Sequence, residues 1–301
     1  MAGKVIAVPG LNRCFGFCYN LAMVIDFHTH IFPPQIKKNR KKYIDYDPSF
    51  AILYSDEKAK LATAEDLIES MDSDGVDVSV VLNIGWTTHE LCVETNDYIL
   101  ESISRYPGRL IGFCAVQPRS MGYAVEEIER CVKGGIRGIG EMRPDTQMTD
   151  LRDEEIMEPF IDVIKKHNLV LLIHASEPVG HLYPGKGAVT PEILYPLLAD
   201  HPEITTVYAH WGGGLPFYAL MPEVKKAMDN VYFDTAASPF LYSPQVYSEV
   251  SRLVGEEKIL FGSDYPLLAQ SRLLDEIRAL EVPEETKELF LSGNTRRLLD
   301  I

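Results

Sequence analysis

From Met23 onward, short runs of Val, Ile and Leu alternate with longer stretches whose apolar residues recur at helical spacing. The short runs predict strands at Val24–Phe27, Val78–Leu82, Leu110–Ala115, Ile136–Gly140, Leu169–Ile173, Thr205–Ala209, Val231–Phe233 and Ile259–Phe261. Nearly continuous apolar runs of this length are what strands covered on both faces look like.

The intervening stretches predict helices. Ala64–Asp74 places Leu67, Ile68 and Met71 on one face. Glu90–Tyr106, Gly122–Lys133, Asp153–His167, Pro191–Asp200, Pro216–Asp229, Pro244–Gly255, Ser271–Leu280 and Pro283–Leu291 follow, with a short turn at Thr295–Leu299. Pro191 and Pro216 stand where a first helical turn tolerates a missing N–H.

Eight strands, each followed by a helix, indicate parallel pairing with crossovers. An open doubly wound sheet and a closed barrel both fit that order. The strand count and the length of 301 residues favour a (β/α)8 TIM barrel. No G-x-G-x-x-G follows the first strand, which removes the main signal for a dinucleotide fold. One long insertion, roughly residues 31–63, follows strand 1. No linker interrupts the pattern, so residues 23–301 read as one domain.

Composition narrows the class. A chain 46% hydrophobic and 24% charged is an ordinary globular protein able to bury its own core. A formal net charge of −15 argues against nucleic-acid binding, which calls for a basic face. The basic run Lys37-Lys38-Asn39-Arg40-Lys41-Lys42 reads as a solvated loop or as a local attractor for an anionic substrate. Five cysteines (Cys14, Cys18, Cys92, Cys114 and Cys131), with no C-x-x-C pair, fit free thiols and a cytoplasmic setting. No stretch approaches a membrane span, and residues 1–22 make a poor signal peptide. They read as an extension or a misassigned start.

The chemistry lies in what stands just past each strand. Strand 1 runs into His28-Thr29-His30, strand 4 into Glu141, strand 5 into His174, strand 6 into His210 and strand 8 into Asp264. In a barrel these positions converge on the C-terminal rim, where active sites form. His28 and His30 are two apart and share a strand face. Imidazole and carboxylate together suit a divalent metal, zinc before iron or manganese. His167 and His201 precede strands 5 and 6, on the opposite rim, and read as helix-end residues. His89 lies on the active rim but out of strand-end register. Past strand 5, Glu177, His181, Tyr183 and Lys186 form a polar and aromatic loop suited to substrate contact. Arg143 is a candidate for a substrate carboxylate, and Trp211 for a pocket wall.

These segments resemble the amidohydrolase superfamily, in the amidohydrolase-related branch that includes aminocarboxymuconate-semialdehyde decarboxylase. The likeness is carried by Ile25-Asp26-Phe27-His28-Thr29-His30, Leu172-Ile173-His174, Ala209-His210-Trp211-Gly212-Gly213-Gly214 and Ile259-Leu260-Phe261-Gly262-Ser263-Asp264-Tyr265-Pro266. Weaker likeness lies in Tyr106-Pro107-Gly108-Arg109-Leu110-Ile111-Gly112 and Gly293-Asn294, so that residues 23–299 are spanned. The resemblance implies that His28, His30, His174 and Asp264 hold the metal and that His210 acts beside it as an acid, base or electrostatic partner. Asp264 would also move a proton. Some relatives bridge two metals with a carboxylated lysine at the end of strand 4. Here that position is Glu141, which is expected to contact the site around a single ion.

The leading expectation is hydrolysis of an amide, lactone or related bond of a small molecule by metal-bound hydroxide. The alternative is non-oxidative decarboxylation of a small carboxylic acid at the same metal. For either reaction the partner is a small-molecule substrate, and a homo-oligomer is a candidate assembly. A non-catalytic metal-binding or scaffold protein is the reading from a different class. An open ligand set beside His210 speaks against it.

Overall fold

A computed structural model describes residues 23–301; the proposed extension at residues 1–22 lies outside the described residues. Eight strands form one sheet in sequential order. They are β1 (Ile25–His30), β2 (Val78–Leu82), β3 (Leu110–Cys114), β4 (Gly138–Met142), β5 (Val170–Ile173), β6 (Thr205–Tyr208), β7 (Val231–Asp234) and β8 (Ile259–Leu260). All seven neighbouring pairs are parallel. The first and last strands meet as well. Phe27 N–H donates to the Phe261 carbonyl at 2.7 Å, Asp264 N–H to the His28 carbonyl at 2.9 Å, and His30 N–H to the Tyr265 carbonyl at 2.7 Å. The expected (β/α)8 barrel is therefore the fold.

The barrel interior is filled by Phe27, Val80, Leu82, Phe113, Leu172, Val207 and Leu260. Glycines in β4 leave room for them. A Cβ on Gly138 would fall 2.4 Å from the Phe113 ring, and one on Gly140 would fall 2.7 Å from the Leu172 carbonyl oxygen. A larger core lies between the strands and the surrounding helices.

Strand 1 runs three residues beyond the expected Phe27, to His30. Its register against β2 shifts between Asp26 and Thr29. Such an irregularity re-aims side chains at a barrel rim. The expected helix at Pro216–Asp229 is divided into a 3-10 turn, Leu215–Leu220, and a helix, Pro222–Ala227. Met221 is extended between them (φ −85°, ψ 118°), as the residue before a proline prefers.

The insertion after β1 is not an open loop. It folds into helices Pro34–Lys38, Arg40–Tyr46 and Pro48–Tyr54. Phe50 stacks on Trp86 with centroids 5.4 Å apart, and Tyr54 meets Phe32 edge-on at 5.3 Å. This small aromatic core seats the insertion on the C-terminal rim. The basic run lies on its outer face. Lys37 pairs with Asp66 at 2.6 Å, Lys41 with Asp45 at 2.9 Å, and Arg40 donates to the carbonyls of Asp56, Glu57 and Ala59. These local partners favour the solvated reading. Among the described residues Cys92, Cys114 and Cys131 are free, and no helix is long and apolar enough to cross a membrane.

Candidate metal centre

The strand ends bring His28, His30, Glu141, His174, His210 and Asp264 to one buried point on the rim. His28 Nε2 lies 3.0 Å from His30 Nε2. His30 Nε2 is 3.2 Å from Asp264 Oδ1 and 3.7 Å from Glu141 Oε2. The other Glu141 oxygen, Oε1, is 2.9 Å from His174 Nδ1 and 3.4 Å from His210 Nε2. Among the described residues two groups of donor atoms are close enough to share an ion: His28, His30 and Glu141, and Glu141, His174 and His210. Glu141 belongs to both. It is the centre of the cluster rather than a residue at its edge.

Local backbone explains the placement. Gly262 carries no Cβ, which would otherwise fall 2.8 Å from the Cβ of His28. His210 and Asp264 both adopt left-handed backbone conformations, φ 57° and 64°. Such conformations are costly for non-glycine residues and persist where surrounding contacts enforce them. At His210 the enforcing contact is the Asp234 carboxylate, which accepts its N–H at 2.9 Å.

The electrostatics describe a site short of positive charge. Burial lowers the His28 pKa, but the charges of Asp234, Glu141 and Asp264 outweigh it and raise it to about 9. Burial likewise lowers His210, and the Glu141 hydrogen bond with the charges of Asp264, Glu141 and Asp234 raises it to about 10. Burial would raise Glu141, yet the charge and hydrogen bond of His174 hold it well below the carboxylate range. Asp264 is lowered too, against burial, by the His30 hydrogen bond and the neighbouring imidazoles. His174 is lowered by burial and by the charge of Arg143. Buried carboxylates that force protons onto imidazoles would accept a divalent cation in place of those protons. The donor set fits one: imidazole nitrogens and carboxylate oxygens, with the second nitrogen of His28 held 2.8 Å from Asp234.

The other expected residues divide. Glu177, His181, Tyr183 and Lys186 line one cavity of about 390 Å³, completed by residues after β6 and β7 such as Phe217 and Tyr242. Ser176, next in the chain to Glu177, has its Oγ 3.2 Å from His174 Nε2. Lys186 Nζ donates to the Val179 and His181 carbonyls and so braces this loop. Arg143 is buried beside His174, with Nη2 donating to the Gly185 carbonyl and Nε 3.5 Å from Asp145 Oδ1.

Trp211 does not wall the pocket. The left-handed backbone at His210 and Trp211 sends the indole the other way, into the main core. There its Nε1 donates to Ser238 Oγ at 3.0 Å and its ring meets Tyr247 edge-on at 5.0 Å. His89 opens the helix His89–Arg105 and lines a separate cleft beside Tyr123. His167, on the opposite rim, pairs with Glu129 at 3.0 Å.

Sequence reasoning missed Asp234 and Tyr54. Asp234 ends β7 in the same register that singled out the other rim residues, so the signal was present. Tyr54 is buried under the insertion, where the charges of Asp264, Glu141, Arg40 and Arg143 all bear on its hydroxyl. No periodicity marks that position.

Comparison with known proteins places this geometry in context. A family model described as Amidohydrolase matches residues 25–301. A 2-amino-3-carboxymuconate-6-semialdehyde decarboxylase from Dictyostelium discoideum is 23% identical, over 93% of this chain and 92% of its own. A gamma-resorcylate decarboxylase from Rhizobium sp. (strain MTP-10005) is 21% identical, over 70% of this chain and 76% of its own. Among solved structures, a 5-carboxyvanillate decarboxylase from Novosphingobium aromaticivorans, complexed with manganese and 4-hydroxy-3-methoxy-5-nitrobenzoic acid, superposes with a TM-score of 0.76. It is 18% identical, over 93% of this chain and 96% of that one. These relatives are decarboxylases, which overturns the expectation of hydrolysis. The metal cluster is common ground for both reactions, so the cluster alone misdirected that expectation.

Proposed function

The chain belongs to the amidohydrolase family, and from that premise we propose that it is a metal-dependent decarboxylase of a small carboxylic acid. The observation that carries the proposal is the semialdehyde decarboxylase that aligns along 93% of this chain and 92% of its own length. The single domain of residues 23–301, acting in the cytoplasm on a small molecule, is part of the same reading, as is a homo-oligomer.

His28, His30, His174 and Asp264 would hold the ion, with Glu141 in contact with all the site histidines. Zinc is proposed from the donor set, with manganese as the ion that would replace it. A bound divalent cation would draw the substrate carboxylate and neighbouring oxygen into a fixed orientation and stabilise negative charge as CO2 leaves. His210 is the proposed proton donor to the carbon that loses CO2. Its Nδ1 faces the Ala236 carbonyl at 3.0 Å, which leaves Nε2 turned into the site. Asp264, half-buried beside His30, is placed to hold or pass a proton. Arg143 would contribute positive charge towards the substrate carboxylate. Glu177, His181, Tyr183 and Lys186 would border the rest of the molecule.

The test is CO2 release from a panel of aromatic and conjugated carboxylic acids by protein loaded with zinc or manganese. Stoichiometric CO2 supports the reading. No CO2 from any acid, with metal bound, overturns it.

A further inference from the structure

We infer that Asp234, at the end of β7, is the positioning residue that fixes the facing nitrogens of both His28 and His210. The carboxylate is fully buried, and among the described residues its one ion-pair partner is His28. A carboxylate without Lys or Arg in such a place must be met by hydrogen-bond donors. Three converge on it. His28 Nδ1 reaches Oδ2 at 2.8 Å. The backbone N–H of His210 donates to Oδ1 at 2.9 Å, and that of Ala236 at 3.0 Å.

Each contact has a consequence at the centre. A carboxylate accepts and does not donate, so Nδ1 of His28 carries the proton. Nε2 is then the nitrogen turned towards His30, Glu141 and Asp264. At His210 the same carboxylate holds the main chain in its left-handed turn. The Ala236 carbonyl, two residues along, accepts a hydrogen bond from His210 Nδ1–H at 3.0 Å. That leaves His210 Nε2 aimed at Glu141. One short segment, Asp234-Thr235-Ala236, thus orients a residue proposed to hold the ion and the residue proposed to move the proton. β7 sends no donor atom into the ion-sized groups, and its contribution is this alignment.

The inference rests on the metal-dependent reading, but its test reads binding and proton position rather than turnover. Asp234→Asn keeps shape yet places an NH2 against the donors that surround the carboxylate. Zinc-loaded protein labelled with 15N in its histidines is the sample. In the wild type, the His28 Nδ1 proton should give a downfield, exchange-protected resonance. In Asp234→Asn that resonance should be lost or shifted upfield, and the zinc dissociation constant should rise about 10- to 100-fold. A merely structural role would lower the unfolding midpoint while leaving resonance and affinity in place. Affinity within twofold of wild type, with the resonance retained, overturns the inference and leaves the decarboxylase reading untouched. Should the variant fail to fold, the wild-type spectrum decides: zinc on Nδ1 of His28, or no protected proton there, also overturns it. Absence of CO2 release with the zinc effects intact would sink the decarboxylase reading alone.

Discussion

Glu141 Oε1 lies 2.9 Å from His174 Nδ1, and through this contact the end of β4 is tied to the end of β5. The other Glu141 oxygen faces His28 and His30 across the barrel mouth. One carboxylate therefore touches histidines from β1, β5 and the turn after β6. Its position makes the charge of the site a shared property of four strands.

Glu141→Gln is expected to weaken divalent-metal binding tenfold or more while the fold persists. Wild-type protein is expected to hold about one ion per chain. Elemental analysis after dialysis measures both. Two ions per chain, with one lost in the variant, would refute the single-ion expectation.

His28→Ala and Asp264→Ala should each lose most bound metal with little change in far-UV circular dichroism. Both residues sit at the rim, above the side chains that fill the barrel. Full occupancy in either variant would remove it from the ligand set.

For His210→Asn, metal content should stay near wild type while kcat falls by about 10²–10⁴, the usual scale for losing a positioned acid or base. Its backbone N–H still reaches Asp234, so the local turn should hold. Metal loss matching that of His28→Ala would make His210 a ligand instead.

Gly138→Ala should destabilise the barrel by about 1–3 kcal/mol, the cost of overpacking a filled interior. The added methyl would fall 2.4 Å from the Phe113 ring. Urea denaturation reads the shift, and an unchanged midpoint would mean that the interior yields freely.

Away from the site, Glu127 is buried under the helix Gly122–Lys133. Burial would raise its pKa, but hydrogen bonds from Arg130 and Asn96 lower it below 4.5. A depressed carboxylate gives stability that is present above the unfolded pKa and lost as pH falls through the folded one. Wild-type protein should therefore lose thermal stability below about pH 4.5 more steeply than Glu127→Gln. At pH 7 the variant should be about 1–3 kcal/mol less stable. Parallel profiles for the two proteins would contradict the assignment.

Much of this architecture was legible along the chain because barrel strands are local. A run such as Val78–Leu82 is apolar throughout since both faces are covered, and that pattern needs no knowledge of neighbours. The same register pointed to His28, His30, Glu141, His174, His210 and Asp264, because a strand end is a position in sequence as well as in space. What tertiary structure alone decided concerns direction and distance between strands. The left-handed turn at His210 sends Trp211 into the core, although its neighbour faces the site. Asp234 gains its meaning only when β7 lies beside both β6 and β8 and within reach of His28 across the mouth. The insertion after β1 brings Tyr54 near Asp264 and Glu141 through an aromatic core shared with Trp86. Residue type and strand register fix which groups reach the rim, while hydrogen bonds between distant strands fix which atoms face one another.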